Sequence, residues 1–139
     1  MRPKLLLTSI LLLISVATYG QVETTVSYDD TAIIVATKNI TADTLIVFNE
    51  RRVYDDGSYI IVKIYDKRGE LIYDGRWGFG QRSSLAIKPG QVQEFVYSFR
   101  LMGVRRENVK KITFNTHIRT CNRRTKNFEH TRQEMSITF

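Results

Sequence analysis

The chain has 139 residues, a formal net charge of +7, one cysteine, two prolines and two histidines. That length fits one domain with one core. The lone Cys121 excludes an intramolecular disulfide, and two histidines without clustered cysteines or carboxylates argue against a zinc site.

The first twenty residues read as a signal peptide. Arg2 and Lys4 form a positive n-region, Leu5 to Val16 an apolar run, and Thr18-Tyr19-Gly20 places small residues at the −3 and −1 positions. Cleavage is expected before Gln21. The apolar run is shorter than the ~20 residues a membrane-crossing helix needs, and no cysteine near the cut could take a lipid. The expected product, residues 21–139, is exported to the periplasm or the cell surface and is not lipid-anchored.

From Gln21 onward the apolar residues recur with period two, the pattern of strands. Expected strands are Val22–Tyr28, Thr31–Ile40, Thr44–Asn49, Ser58–Tyr65, Glu70–Asp74, Ser83–Ile87, Gln91–Leu101, Val109–Thr120 and Phe128–Phe139. Turn-forming clusters separate them at Asp29-Asp30, Asp55-Asp56-Gly57, Asp66-Lys67-Arg68-Gly69 and Lys88-Pro89-Gly90. The fold expected is all-β: a single antiparallel immunoglobulin-like sandwich of about 7–9 strands.

Parity assigns faces. Phe95, Tyr97, Phe99 and Leu101 should face the core together. Ile112, Phe114 and Ile118 should point inward, with Lys111, Thr113, Asn115, His117 and Arg119 outward. Met135, Ile137 and Phe139 should point inward, with His130, Arg132, Glu134 and Ser136 outward. A loop at Asn122–Asn127 would pair these last two strands so that Ile112 faces Ile137, Phe114 faces Met135, His117 faces Arg132 and Arg119 faces His130. A one-residue slip would mix the two faces.

The stretch Val62-Lys63-Ile64-Tyr65-Asp66-Lys67-Arg68-Gly69-Glu70-Leu71-Ile72-Tyr73, with Trp77, Gln81 and Leu85-Ala86-Ile87-Lys88-Pro89-Gly90-Gln91, resembles small bacterial immunoglobulin-like sandwiches, including the BsuPI-type proteinase-inhibitor domain. The resemblance spans residues 58–101. It implies an immunoglobulin-like fold; such a fold hosts many activities, so function has to come from the surface.

Two surfaces stand out. Gly75-Arg76-Trp77-Gly78-Phe79-Gly80-Gln81-Arg82 combines aromatics and arginines with backbone-exposing glycines, so Arg76, Trp77, Phe79 and Arg82 could stack on a sugar or hold a peptide; alternatively Trp77 or Phe79 plugs the core. The second is the basic end of the chain. Residues 100–139 hold ten Lys/Arg against three Glu, whereas residues 21–99 hold nine against eleven acidic residues. Lys111, His117, Arg119, Arg123, Arg124, Lys126, His130 and Arg132 are its candidate binding residues, suited to phosphate and carboxylate.

No G-x-S-x-G elbow is present, and Cys121 has no base beside it in sequence. Asp29-Asp30 and Asp55-Asp56 read as turn formers before they read as catalytic pairs. The chain is therefore expected to be a non-enzymatic binding or structural accessory of the cell envelope, without a cofactor. Its expected partner is an anionic envelope component or an acidic protein surface, not nucleic acid. Alternatives are a proteinase inhibitor acting through the Arg76–Arg82 loop and a small outer-membrane barrel, suggested by the alternating Met135-Ser136-Ile137-Thr138-Phe139 end. Asn39-Ile40-Thr41 fits an N-glycosylation acceptor, and Asp30-Thr31-Ala32 and Asp43-Thr44-Leu45 resemble O-glycosylation acceptors.

Overall fold

The computed structural model describes residues 15–49, 57–78 and 84–139. Asp55, Asp56, Phe79, Gln81 and Arg82 lie outside the described residues, as does most of the expected signal segment. The strands are β1 (Ser15–Tyr19), β2 (Val22–Tyr28), β3 (Ala32–Asn39), β4 (Leu45–Phe48), β5 (Tyr59–Asp66), β6 (Leu71–Trp77), β7 (Ser84–Ile87), β8 (Val92–Ser98), β9 (Val109–Asn122) and β10 (Phe128–Thr138). All nine expected strands are present. An additional strand, β1, lies within the expected signal segment and pairs with β2.

Two antiparallel sheets result. One runs β1-β2-β3-β8; the other runs β6-β5-β9-β4-β7, with β10 on β9 as well, and it curls into a half-barrel. The described strands thus form two sheets with open edges, not the single closed sheet an outer-membrane barrel needs.

The second sheet is organised by β9, a 14-residue strand with neighbours along both edges. Along one edge runs β10, with Ile112 opposite Ile137, Phe114 opposite Met135, His117 opposite Arg132 and Arg119 opposite His130. This is the register the alternation requires. Along the other edge β5 takes Val109–His117 and β4 takes Arg119–Asn122. Ser58 fills the junction between them. Its fully buried hydroxyl accepts the Arg119 N–H at 2.8 Å and donates to the Arg119 carbonyl at 3.4 Å, so β9 changes partners without losing a backbone bond.

Between the sheets Val22, Val26, Ile33, Val35, Leu45, Val47, Ile60, Val62, Ile64, Ile87, Ile112, Phe114, Ile118 and Ile137 form one buried cluster. The turns behave as their residues dictate. Asp29 Oδ1 accepts the Thr31 and Ala32 N–H groups, and Asp66 Oδ1 accepts those of Arg68 and Glu70. Gly69 and Gly90 take positive φ.

Two expectations need correction. β8 ends at Ser98, and the chain turns through Arg100–Gly103, where Gly103 has φ +71 and Val104 donates back to Phe99 at 3.0 Å. Alternation stops with the strand, so Leu101 is 88% exposed while Phe99 and Val104 are buried. β6 runs past Asp74 to Trp77, because Gly75, Arg76 and Trp77 pair with Val62, Ile61 and Ile60.

Candidate functional site

The registers of three strands assemble a cationic and aromatic cluster on the outer face of the half-barrel. Tyr59 of β5 lies opposite His117 of β9, which lies opposite Arg132 of β10. In the next row Phe48 of β4 lies opposite Arg119, which lies opposite His130. Arg76 enters from β6, where alternation sends it outward while Trp77 points in. Its guanidinium sits 3.7 Å from the Tyr59 ring centroid. Tyr59 stacks on His117 at 4.3 Å with 14° between the planes, and His117 lies 5.5 Å from His130. Arg76, Tyr59, His117 and His130 therefore form a column of planar groups. Arg132 flanks it, and Glu134, two residues along β10 on the same face, bounds it.

His117 departs from its expected exposure. It faces outward as parity requires, yet the neighbouring rings cover it to 8% exposure. Its Nδ1 is buried without a hydrogen-bond partner among the described residues. Burial, and then the positive charges of Arg132, His130, Arg76 and Arg119, hold its pKa below the ordinary histidine value. At neutral pH the ring is neutral, and its protonation becomes favourable when an anion offsets those charges. The cluster can accordingly take a carboxylate or phosphate with guanidinium forks and couple that binding to proton uptake.

Not every basic candidate joins it. Arg124, in the β9–β10 loop, gives its guanidinium to Asp43, Nε to Oδ1 at 2.8 Å and Nη2 to Oδ2 at 3.1 Å. Asn122 adds a third bond to that carboxylate at 3.1 Å. Arg124 holds the Asp43 pKa down and acts as a clamp between two loops. Arg123 and Lys126 lie in the same loop, Lys126 at φ +65, and Lys111 lies toward the far end of β9 beside a recess lined by Lys63, Tyr65 and Glu134. None of these three is part of the column.

Of the two readings open to Trp77, a surface aromatic or a core plug, its contacts are those of packing. Its ring stacks on Tyr97 at 4.0 Å and its Nε1 donates to the Tyr73 hydroxyl at 2.8 Å. Gly75 permits this, since a Cβ there would collide with the Tyr73 ring. Tyr97 donates its hydroxyl to the Gly78 carbonyl at 2.8 Å, and burial pushes its pKa well up.

Tyr59 and Phe48 are the site residues that parity and charge did not single out. Tyr59 was recognisable as outward on β5, but only the nonlocal β5–β9 register places it against His117. Phe48 stacks on Phe128 at 5.9 Å, and Phe128 is 71% exposed, so the cluster has an apolar margin. Cys121 is buried and unpaired, with its Sγ 3.6 Å from the Asn122 carbonyl. Among the described residues no group of three or more His, Cys, Asp or Glu is placed to hold a metal ion.

No family model and no curated protein matches the chain. Among solved structures, it is similar to a Bordetella pertussis protein described as ApaA, at 10% identity and TM-score 0.48, covering 86% of this chain and 78% of that one. It is also similar to a protein from Archaeoglobus fulgidus, at 14% identity and TM-score 0.36, covering 90% and 98%. A Bacteroides uniformis β-glucuronidase aligns at 13% identity and TM-score 0.31, with 91% of this chain matching 13% of that one.

Proposed function

We propose that the protein is an exported, non-enzymatic accessory of the cell envelope. Residues 1–20 act as its signal peptide, and residues 21–139 form an immunoglobulin-like sandwich that binds an anionic envelope component on the outer face of its half-barrel. The observation that carries this reading is the Arg76–Tyr59–His117–His130 column with Arg132 beside it. Stacking orders the side chains of this charged cluster before a ligand arrives, so little side-chain entropy remains to be lost on binding. The mutual repulsion of those charges is relieved by an anion. Arg76 and Arg132 are exposed, so the attraction should weaken with salt.

The test is salt-dependent binding of the processed protein to fractionated envelope material, with Arg76→Glu/Arg132→Glu beside the unaltered chain. Binding that falls with salt and is lost in the double variant supports the reading. Equal binding by both, or none by either, overturns it.

A further inference from the structure

The turn between β1 and β2 carries polar contacts that anion binding does not use. Gln21 is 7% exposed and is held by three parts of the fold. Its backbone nitrogen donates to a Glu129 carboxylate oxygen on β10 at 3.0 Å. Its Oε1 accepts the Thr120 hydroxyl of β9, and its carbonyl accepts the Ile40 N–H at 3.1 Å. The Glu129 carboxylate also closes over the preceding residue: Gly20 has φ +58, and a Cβ there would overlap that carboxylate. A full negative charge is thus aimed at one amide nitrogen, where a neutral acceptor would satisfy an ordinary N–H. That nitrogen belongs to the Gly20–Gln21 peptide bond, the bond at which signal removal is expected. The titratable and charged residues lining the recess beside Gly20 are Glu129, His130, Arg132 and Glu134, and of these Glu129 reaches the Gln21 nitrogen.

We infer that Glu129 is the receptor for the mature N-terminus, an inference that rests on the reading of residues 1–20 as a signal. Hydrolysis adds water across the Gly20–Gln21 amide, leaving a carboxylate on the departing segment and an amine on Gln21, which takes a proton from solvent. The N–H···carboxylate bond then becomes an ammonium–carboxylate pair at the same place. Two consequences follow. The end of β2 stays fixed after β1 has gone, because its anchor lies on β10. The paired ammonium is also a poor nucleophile. An N-terminal glutamine otherwise cyclises, its amine bonding to Cδ as ammonia leaves, and the Thr120 bond to Oε1 holds the carboxamide in place as well.

The test uses the full chain expressed in an exporting host, unaltered and with Glu129→Gln. Mass spectrometry of the processed protein reads the cut site. Acylation of its α-amine, and its spontaneous loss of ammonia, then read the ion pair. Labelling about tenfold slower in the unaltered protein than in Glu129→Gln, equivalent to one pKa unit, with slower ammonia loss, supports the inference. Glu129→Asp, which keeps the charge on a shorter arm, should label at an intermediate rate and serves if Glu129→Gln does not fold. Equal labelling in chains that begin at Gln21 overturns the ion pair. A chain cut elsewhere, or not cut, overturns the processing reading whatever the labelling shows.

Discussion

Replacing Asn39 should destabilise this fold more than its place at the end of β3 suggests. The residue is 0% exposed. Its Nδ2 donates to the Asp43 carbonyl at 2.7 Å and the Ile87 carbonyl at 2.8 Å. Its Oδ1 accepts the Thr41 N–H at 2.9 Å and the Thr41 hydroxyl at 2.8 Å. One side chain therefore shapes the β3–β4 turn and ties it to the end of β7. Asn39→Ala removes all four bonds. The Asp43 carbonyl, 2.9 Å from the Thr41 hydroxyl, can take the hydrogen that Asn39 releases, but the Ile87 carbonyl loses this donor in a buried setting. With about 1 kcal/mol for each net bond, and more for a buried group left unpaired, the loss is on the order of 3 kcal/mol. That is a large part of a typical domain's ~5–15 kcal/mol and corresponds to a fall of about 10 °C in Tm. Asn39→Asp should be worse still, since it sets a carboxylate oxygen against two carbonyl oxygens. Urea unfolding with an unchanged m-value measures both. A change below about 0.5 kcal/mol for Asn39→Ala, or an Asp variant more stable than the Ala variant, would refute the accounting. The same geometry bears on the Asn39-Ile40-Thr41 acceptor pattern: both Nδ2 hydrogens are committed inside the fold, so the folded chain should not accept a glycan there.

Trp77→Ala should cost about 3 kcal/mol through the lost Tyr97 stack and Tyr73 hydrogen bond, and the native emission of this sole tryptophan should be blue-shifted and sheltered from acrylamide; a red emission maximum would contradict the packing role. For His117, the folded-state pKa lies below the unfolded value of about 6.5, so the unfolded chain binds the proton first as pH falls. Stability should therefore drop below about pH 6.5 until the folded value is passed, relative to His117→Phe; a wild-type-minus-variant difference that stays flat from pH 7 to 5 would count against it. Arg132→Ala should weaken anion binding about two- to fivefold at low salt, whereas Arg124→Ala, already committed to Asp43, should leave it unchanged. Equal losses in the two variants would dissolve the distinction between site and clamp.

The strands were legible because alternation is local. Ile112, Phe114 and Ile118 against Met135 and Ile137 define both strand faces and, through a short loop, the pairing between them. That pairing in turn placed His117 beside Arg132 and Arg119 beside His130. What stayed hidden depends on pairings between strands distant in sequence. Nothing near Tyr59 announces that it lies opposite His117, some sixty residues on, and without that row His117 reads as an exposed ring among arginines. Arg124 likewise looked like another free cation, because its partner Asp43 is 81 residues away. Trp77 allowed two readings in sequence, a surface aromatic or a core plug; Gly75, which lets Tyr73 fold across it to reach the indole, selects the second.

The two faces of β9 explain why a charged cluster can be held rigidly here. Its inward positions, Ile112, Phe114 and Ile118, are each at most 1% exposed, so the strand cannot shift by one residue without turning lysine, histidine and arginine into the core. Hydrogen-bonded neighbours on both edges remove the remaining freedom to slide. The backbone spacing of His117, Arg119, His130 and Arg132 is thus set by hydrophobic burial on the opposite side of the sheet, not by interactions among the charged side chains, whose mutual repulsion would otherwise spread them apart. On this account a core substitution that preserves the register, such as Ile112→Val, should lower stability by about 1 kcal/mol and leave anion affinity unchanged. Affinity that falls with stability would mean that the cluster is assembled by the cations' own contacts instead.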